Sequence, residues 1–327
     1  MLNHTNTNHE RPAREWASVH GPIPPHRFWG YYSGPEIAAL ATADPNATAV
    51  LQVGAVEQHG PHLPVITDTL NGVHLLGAAL ALLPPEVTVL ALPPTNLGKS
   101  EEHRDFAGTL SYRAETLRMV LLDIARSVAR SGFEKLLLLN SHGGNVGLID
   151  DSFRDLRLET GLRVFKIQPG GLGGVAGLIS PEEAAIAMHA GDVETSMVRH
   201  LAPELVHMER AEGYLYEPDP DVGYSFKGQS VIEAWVTADL APSGAIGNPH
   251  LSSADKGRQI FEAQARRLAE LLEAVYRCPP RAVHAAPKLT PTTAPAARSA
   301  SRPRRGRSAG DPGASEPAPA RTRSSRP

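Results

Sequence analysis

Apolar positions along this chain fall into two alternating kinds of run. Short stretches at 47–56, 87–92, 135–139 and 163–167 have the length of strands, and the unbroken apolar run at 47–56 reads as one buried on both faces. Between them, apolar residues recur every three or four positions. The clearest case is 115–130, with Leu117, Val120, Leu121, Ile124 and Val128 on one side and Gly132 as its stop. Further helices are predicted over 69–83, from 146 to about 159, over 181–188, over 193–201, and from Ser252 or Ser253 to about 276. Ser33, with Pro35 and Glu36 behind it, reads as the cap of a short helix reaching 40. A last strand is predicted at 231–236. Strand–helix alternation in this order predicts a single three-layer α/β/α domain around a mainly parallel central sheet. Ligands of such sheets gather beyond the carboxyl ends of the strands.

Composition narrows the picture. The 327 residues are 41% hydrophobic and 20% charged, ordinary values for a chain with a sizeable core. One cysteine, Cys278, excludes a disulfide framework and a cysteine-based zinc site. No apolar run reaches the roughly 18 residues of a membrane span, and the polar N-terminus lacks the centre of a signal peptide. The expectation is a cytoplasmic protein without a membrane partner. Residues 1–27 read as a poorly ordered arm, 28–284 as the domain, and 285–327 as a disordered Pro/Ala/Ser/Arg-rich tail. From Lys288 onward nine Lys/Arg face Asp311 and Glu316, a surplus of +7, so the rest of the chain carries −3 − 7 = −10. That acidic body argues against a nucleic-acid partner. The aromatic cluster Phe28, Trp29, Tyr31 and Tyr32 reads as a cover packed on the core.

The chemistry begins where the first strand ends. Within twelve residues the chain presents Glu57, His59, His62 and Asp68, separated by Gly60, Pro61 and Pro64. Carboxylates and imidazoles hold Zn2+, Mn2+ or Fe2+, and the prolines keep this stretch out of a helix. A second loaded stretch, Asn140-Ser141-His142-Gly143-Gly144-Asn145, follows the third strand. A third, around 189–196, offers His189, Asp192 and Glu194. Three separated segments each place histidine beside glycine, and two also supply a carboxylate. We read them as parts of one metal site.

These motifs resemble the creatininase family of metal-dependent amidohydrolases. The resemblance rests on 57–68 (EQHGPHLPVITD), 140–145 (NSHGGN) and 189–196 (HAGDVETS), with support from 98–110 and 244–257, and it spans about residues 30–275. It implies a creatininase-like α/β domain holding two divalent metal ions and cutting a carbon–nitrogen amide bond. By that resemblance Asp68 bridges the ions, Glu57 and His142 hold one, and His59 holds the other. Creatininase completes its second ion with a glutamate two residues past the motif histidine. Gly144 stands there in this chain, and Glu194 is the expected replacement. His189 matches the family's acid/base histidine, a role that an imidazole titrating near neutrality suits. Glu102 and His103 match a motif that lines the pocket, and His62 is expected to support the ligands. The family also implies a homo-oligomer, commonly a hexamer.

The expected partner is a small amide. Water attacks amides slowly at neutral pH, and divalent ions answer this by lowering the pKa of water and polarising the carbonyl. Creatininase grips its ring with aromatic residues. Here the stretch between Asn145 and His189 has no Trp or Tyr, only Phe153 and Phe165, and Gly143 replaces a tyrosine. Creatinine therefore fits less well than a formamide such as a formylamino-pyrimidine, another cyclic amide, or the precursor peptide of a redox cofactor (mycofactocin). A non-catalytic, metal-stabilised binding protein on the same scaffold is the reading from another class.

Overall fold

The computed structural model describes residues 21–214, 227 and 232–279. Strands β1 (Thr48–Val53), β2 (Val89–Ala91), β3 (Lys135–Asn140) and β4 (Arg163–Ile167) form one parallel sheet in the order β2-β1-β3-β4. Thr48 stands level with Val89 on one side and Lys135 on the other, and Lys135 with Arg163. The helices are α1 (Gly34–Ala43), α2 (Thr67–Leu82), α3 (Ala114–Arg130), α4 (Val146–Thr160), α5 (Pro181–Ile186), α6 (Asp192–Leu201), α7 (Thr237–Leu240) and α8 (Ala254–Arg277).

Side chains alternate across the sheet and fill a core on each face. Val50, Val89, Leu137 and Leu139 meet Leu76 and Leu80 of α2 and Leu268 and Leu272 of α8. Ala49, Leu51, Leu136 and Leu138 meet Ile37 of α1, Leu117 and Leu121 of α3, and Ile149 and Leu156 of α4. This is the expected three-layer α/β/α arrangement. The aromatic cluster covers the core as predicted. Phe28 is buried with the first group, and Trp29 packs on Phe133 with ring centroids 4.9 Å apart.

Five expectations are corrected. The first strand stops at Val53, not 56, because the chain turns out of the sheet at Gly54. Gly54 donates to the Thr95 carbonyl and packs so closely on the Thr69 hydroxyl that no Cβ would fit. Helix α2 starts at Thr67 rather than 69, since the Thr67 N–H and hydroxyl both donate to the Pro64 carbonyl, and Asp68 thereby enters its first turn. Helix α5 ends at Ile186 rather than 188, because the N–H groups of Met188 and His189 pair with the Ile246 carbonyl. No strand forms over 232–236. Asp239 accepts from the Val236 N–H and caps the single turn α7 instead. Val231 lies outside the described residues, as do 1–20 of the expected arm and the expected tail at 285–327. Residues 21–27, assigned to that arm, pack on the core: Ile23 is buried, and the Arg27 guanidinium donates to the carbonyls of Leu83, Pro84 and Val87. Among the described residues no helix is long and apolar enough to cross a membrane.

Candidate metal centre

The ends of β1 and β3 deliver the first two motifs to one place. Past Val53 the chain descends to Glu57, Gln58 and His59, and past Asn140 to His142. The first turn of α2 adds Asp68, and the loop between α5 and α6 adds His189 and, one turn on, Glu194. Glu57, His59, Asp68, His142 and His189 are all buried; Glu194 is partly exposed.

The distances show convergence. Asp68 reaches in two directions: Oδ1 lies 3.6 Å from Nε2 of His59, and Oδ2 lies 3.0 Å from Nδ1 of His142. Glu194 Oε2 is 3.9 Å from Nε2 of His59. Glu57 Oε2 is 3.2 Å from Nε2 of His142, and its Oε1 is 3.6 Å from Nδ1 of His189. Three groups have ligand atoms within 4.8 Å of one another: His59, Asp68 and Glu194; Glu57, Glu102 and His142; Glu57, His59 and His189. The imidazoles are close-packed, with the His189 ring 4.1 Å from that of His59 and 4.0 Å from that of His103.

Backbone partners settle two ring orientations. His59 Nδ1 lies 3.1 Å from the Glu57 carbonyl, so Nδ1–H donates there and Nε2 is the nitrogen turned toward Asp68 and Glu194. His189 Nε2 lies 2.5 Å from the Gln58 carbonyl, so Nε2–H donates and the Nδ1 lone pair faces Glu57. The residues fit a metal by one strict test. Glu57 Oε2, His59 Nε2 and Asp68 Oδ2 are buried without a well-formed hydrogen bond, a costly state for protein alone and the ordinary state of ligand atoms.

The electrostatics agree. Burial and then the Asp68 charge push the Glu57 carboxyl up to about 7. Burial also works against charge on His59, but Asp68 and after it Glu194 and Glu57 outweigh this and bring the imidazole up to about 9. His142 is raised as well, again against burial, chiefly by Glu57 and Asp68. Burial, then the neighbouring positive His59, lowers His189 and takes His103 down to about 3. His189 is therefore a neutral imidazole near neutrality, further from its ordinary value than its sequence setting implies.

Other candidates lie off this cluster. Asp192 is ion-paired at 2.5 Å with Lys256 Nζ and accepts from the Ser196 hydroxyl. His62 Nε2 pairs with the Thr195 hydroxyl at 3.0 Å, and that hydroxyl bonds the Ala190 carbonyl. His103 contributes more than lining: its Nε2 lies 3.3 Å from Glu57 Oε1, and its Nδ1 bonds Thr237 and Gln58. Sequence reasoning missed Glu183. This buried carboxylate accepts from the N–H groups of Asp192 and Asn248 and ties the His189 loop to the 244–248 loop. Nothing in its own stretch of sequence, the start of a short helix, marks it for burial.

A parallel sheet with carboxylates and imidazoles massed at its carboxyl edge defines an α/β protein with a candidate metal-binding centre there. The family model described as creatinine amidohydrolase matches residues 31–272, and the chain belongs to the creatininase family. It is 34% identical over 217 residues to the mycofactocin precursor peptide peptidase of Mycobacterium ulcerans (strain Agy99), covering 65% of this chain and 79% of that one. Against the creatinine amidohydrolase of Pseudomonas putida the identity is 28% over 256 residues, 72% of this chain and 91% of that one. The crystal structure of a creatinine amidohydrolase (creatininase) superimposes with a TM-score of 0.62 at 25% identity, covering 77% of this chain and 98% of the other.

Proposed function

We propose that this protein is a metal-dependent amidohydrolase that cleaves a carbon–nitrogen amide bond, and that its substrate is a short peptide. The observation that carries the reading is the buried convergence of Glu57, His59, Asp68 and His142, three of whose facing atoms lack a well-formed hydrogen bond. His59, Asp68 and Glu194 would hold one divalent ion and Glu57 and His142 a second, with Asp68 reaching both. Bound there, the ions would supply a more acidic water and polarisation of the amide carbonyl.

The chain's own residues supply the rest. Burial of Glu57, His59 and Asp68 keeps bulk water from competing for the ligand atoms. The Gln58 carbonyl fixes His189 so that Nδ1 can accept a proton from the attacking water and return it to the leaving nitrogen. The Ala190 N–H donates to Glu194 Oε2 at 2.6 Å and holds that carboxylate toward His59.

Two features favour a peptide over a small ring. The relatives with 34% identity are named for a precursor peptide. Two cavities, of about 130 and 280 Å3, share Val193 and Glu194 in their linings. Leu75, Leu139, Leu172 and Met197 line the first, and Val175, Ile179, Met188 and His189 line the second, so apolar lining lies on both sides of Glu194. The test is purified protein loaded with Mn2+ or Zn2+, assayed on short peptides, formamides and creatinine, with and without chelator. Chelator-sensitive cleavage of peptides with creatinine untouched is expected. Hydrolysis of creatinine or a formamide alone would replace the substrate, and turnover indifferent to chelator would remove the metal.

A further inference from the structure

The Glu57 side of the site carries one carboxylate more than the ligands assigned so far. Glu102 stands in the single 3-10 turn Glu101–His103, with its side chain 17% exposed. Its Oε1 lies 3.6 Å from Nε2 of His142, and Glu57, Glu102 and His142 have ligand atoms mutually within 4.8 Å. Room for this carboxylate exists because residue 144 has no side chain. A Cβ on Gly144 would overlap Glu102 Oε1 and stand 2.5 Å from His142 Nε2. Gly144 is not among the glycines with positive φ, so the backbone does not demand glycine there. Glu102 has one other charged contact, Lys99 Nζ at 3.7 Å from Oε2, and a partly exposed pair of that length contributes little. Glu57, Asp68 and Glu102 thus surround one imidazole, a set of oxygen and nitrogen donors that suits a divalent cation.

We propose that Glu102 is a ligand of the ion held by Glu57 and His142, seated in the space that Gly144 leaves. The proposal rests on the metal-amidohydrolase reading and adds a carboxylate to its site. The test compares wild type, Glu102→Gln and Lys99→Met. Each is stripped and titrated with Co2+ while stoichiometry, affinity and the visible d–d spectrum at saturation are followed, with thermal melts as a check on folding. Glu102→Gln is expected to weaken one of the two ions by about 100-fold or more and to change the saturated spectrum, while Lys99→Met leaves both unaltered. Two ions held by Glu102→Gln within threefold of wild type would overturn the proposal and leave the amidohydrolase reading standing. An unchanged saturated spectrum, or the same loss in Lys99→Met, would also overturn it, since Glu102 would then act from outside the coordination shell. A wild type that binds no ion would overturn both.

Discussion

His189 hangs on the backbone of Gln58: its Nε2 lies 2.5 Å from that carbonyl, and the preceding residue, Glu57, places Oε1 3.6 Å from its other nitrogen. Two consecutive residues thus bring a buried carboxylate and a backbone carbonyl to the two nitrogens of one imidazole. Ala190 completes the device, as the one non-glycine among the described residues with positive φ, at +52°. That turn lets the Ala190 N–H meet Glu194 immediately after the histidine.

The first prediction separates proton transfer from metal binding. His189→Ala should keep its full metal content and lose about 100- to 10,000-fold in kcat, the usual range for a missing general acid–base group. Metal analysis and steady-state kinetics on the cleaved peptide check it. A variant that turns over at the wild-type rate would remove His189 from the reaction.

The second concerns Asp68, whose two oxygens face His59 and His142. Asp68→Asn should lower the bound metal from two ions to fewer than one per chain, because both sites lose a shared anion. His59→Ala should lose only one. Elemental analysis after gel filtration distinguishes the two, and equal losses would show that Asp68 serves a single ion.

Much of this was legible in the sequence because strand ends and motifs coincide. The aliphatic run at 135–139 reads as an interior strand, which β3 is, and His142 follows it directly. Helix and strand limits near the site were less legible. The stop at Val53 depends on Gly54 packing against Thr69, and the end of α5 at Ile186 depends on pairing with Ile246, sixty residues away in the chain. Glu102 was read as pocket lining because nothing local indicates that Gly144 leaves it space. Glu183 was invisible for a similar reason: its burial is set by the approach of Asn248, not by its own neighbours.

Glu183 supplies the third prediction. Its carboxylate accepts from Asp192 N–H at 2.9 Å and from Asn248 N–H through both oxygens. Glu183→Gln puts an N–H2 group against one of these donors, and should cost about 1.5–3 kcal/mol of stability. The loop carrying His189 would shift, so kcat should fall with metal content intact. Denaturant melts and metal analysis check this, and loss of metal together with stability would point to general collapse of the site.

The fourth prediction follows from titration. In the metal-free protein His59 is raised to about 9 and His142 is raised in the same direction. A histidine whose folded pKa exceeds its unfolded value near 6.5 contributes stability that is complete below 6.5 and is lost as pH climbs through the folded pKa. Glu57, raised to about 7, acts in the same sense over about 4.5 to 7, since the folded state binds the extra proton. Asp68 is lowered, so its contribution vanishes only under acid, below its ordinary range. His189 and His103 are lowered too, and their contribution is lost as pH falls below 6.5, outside the alkaline window. Between pH 6.5 and 9 the raised histidines therefore dominate, and the metal-free protein should melt at steadily lower temperature across that interval. Divalent ions compete with the same protons, so loading should raise Tm most at the alkaline end and flatten the profile. Calorimetry from pH 6 to 9, with and without Mn2+, reads both slopes. A metal-free profile that stays flat, or a metal-induced rise in Tm that shrinks as pH increases, would mean that His59 and His142 are not the groups the ions displace protons from.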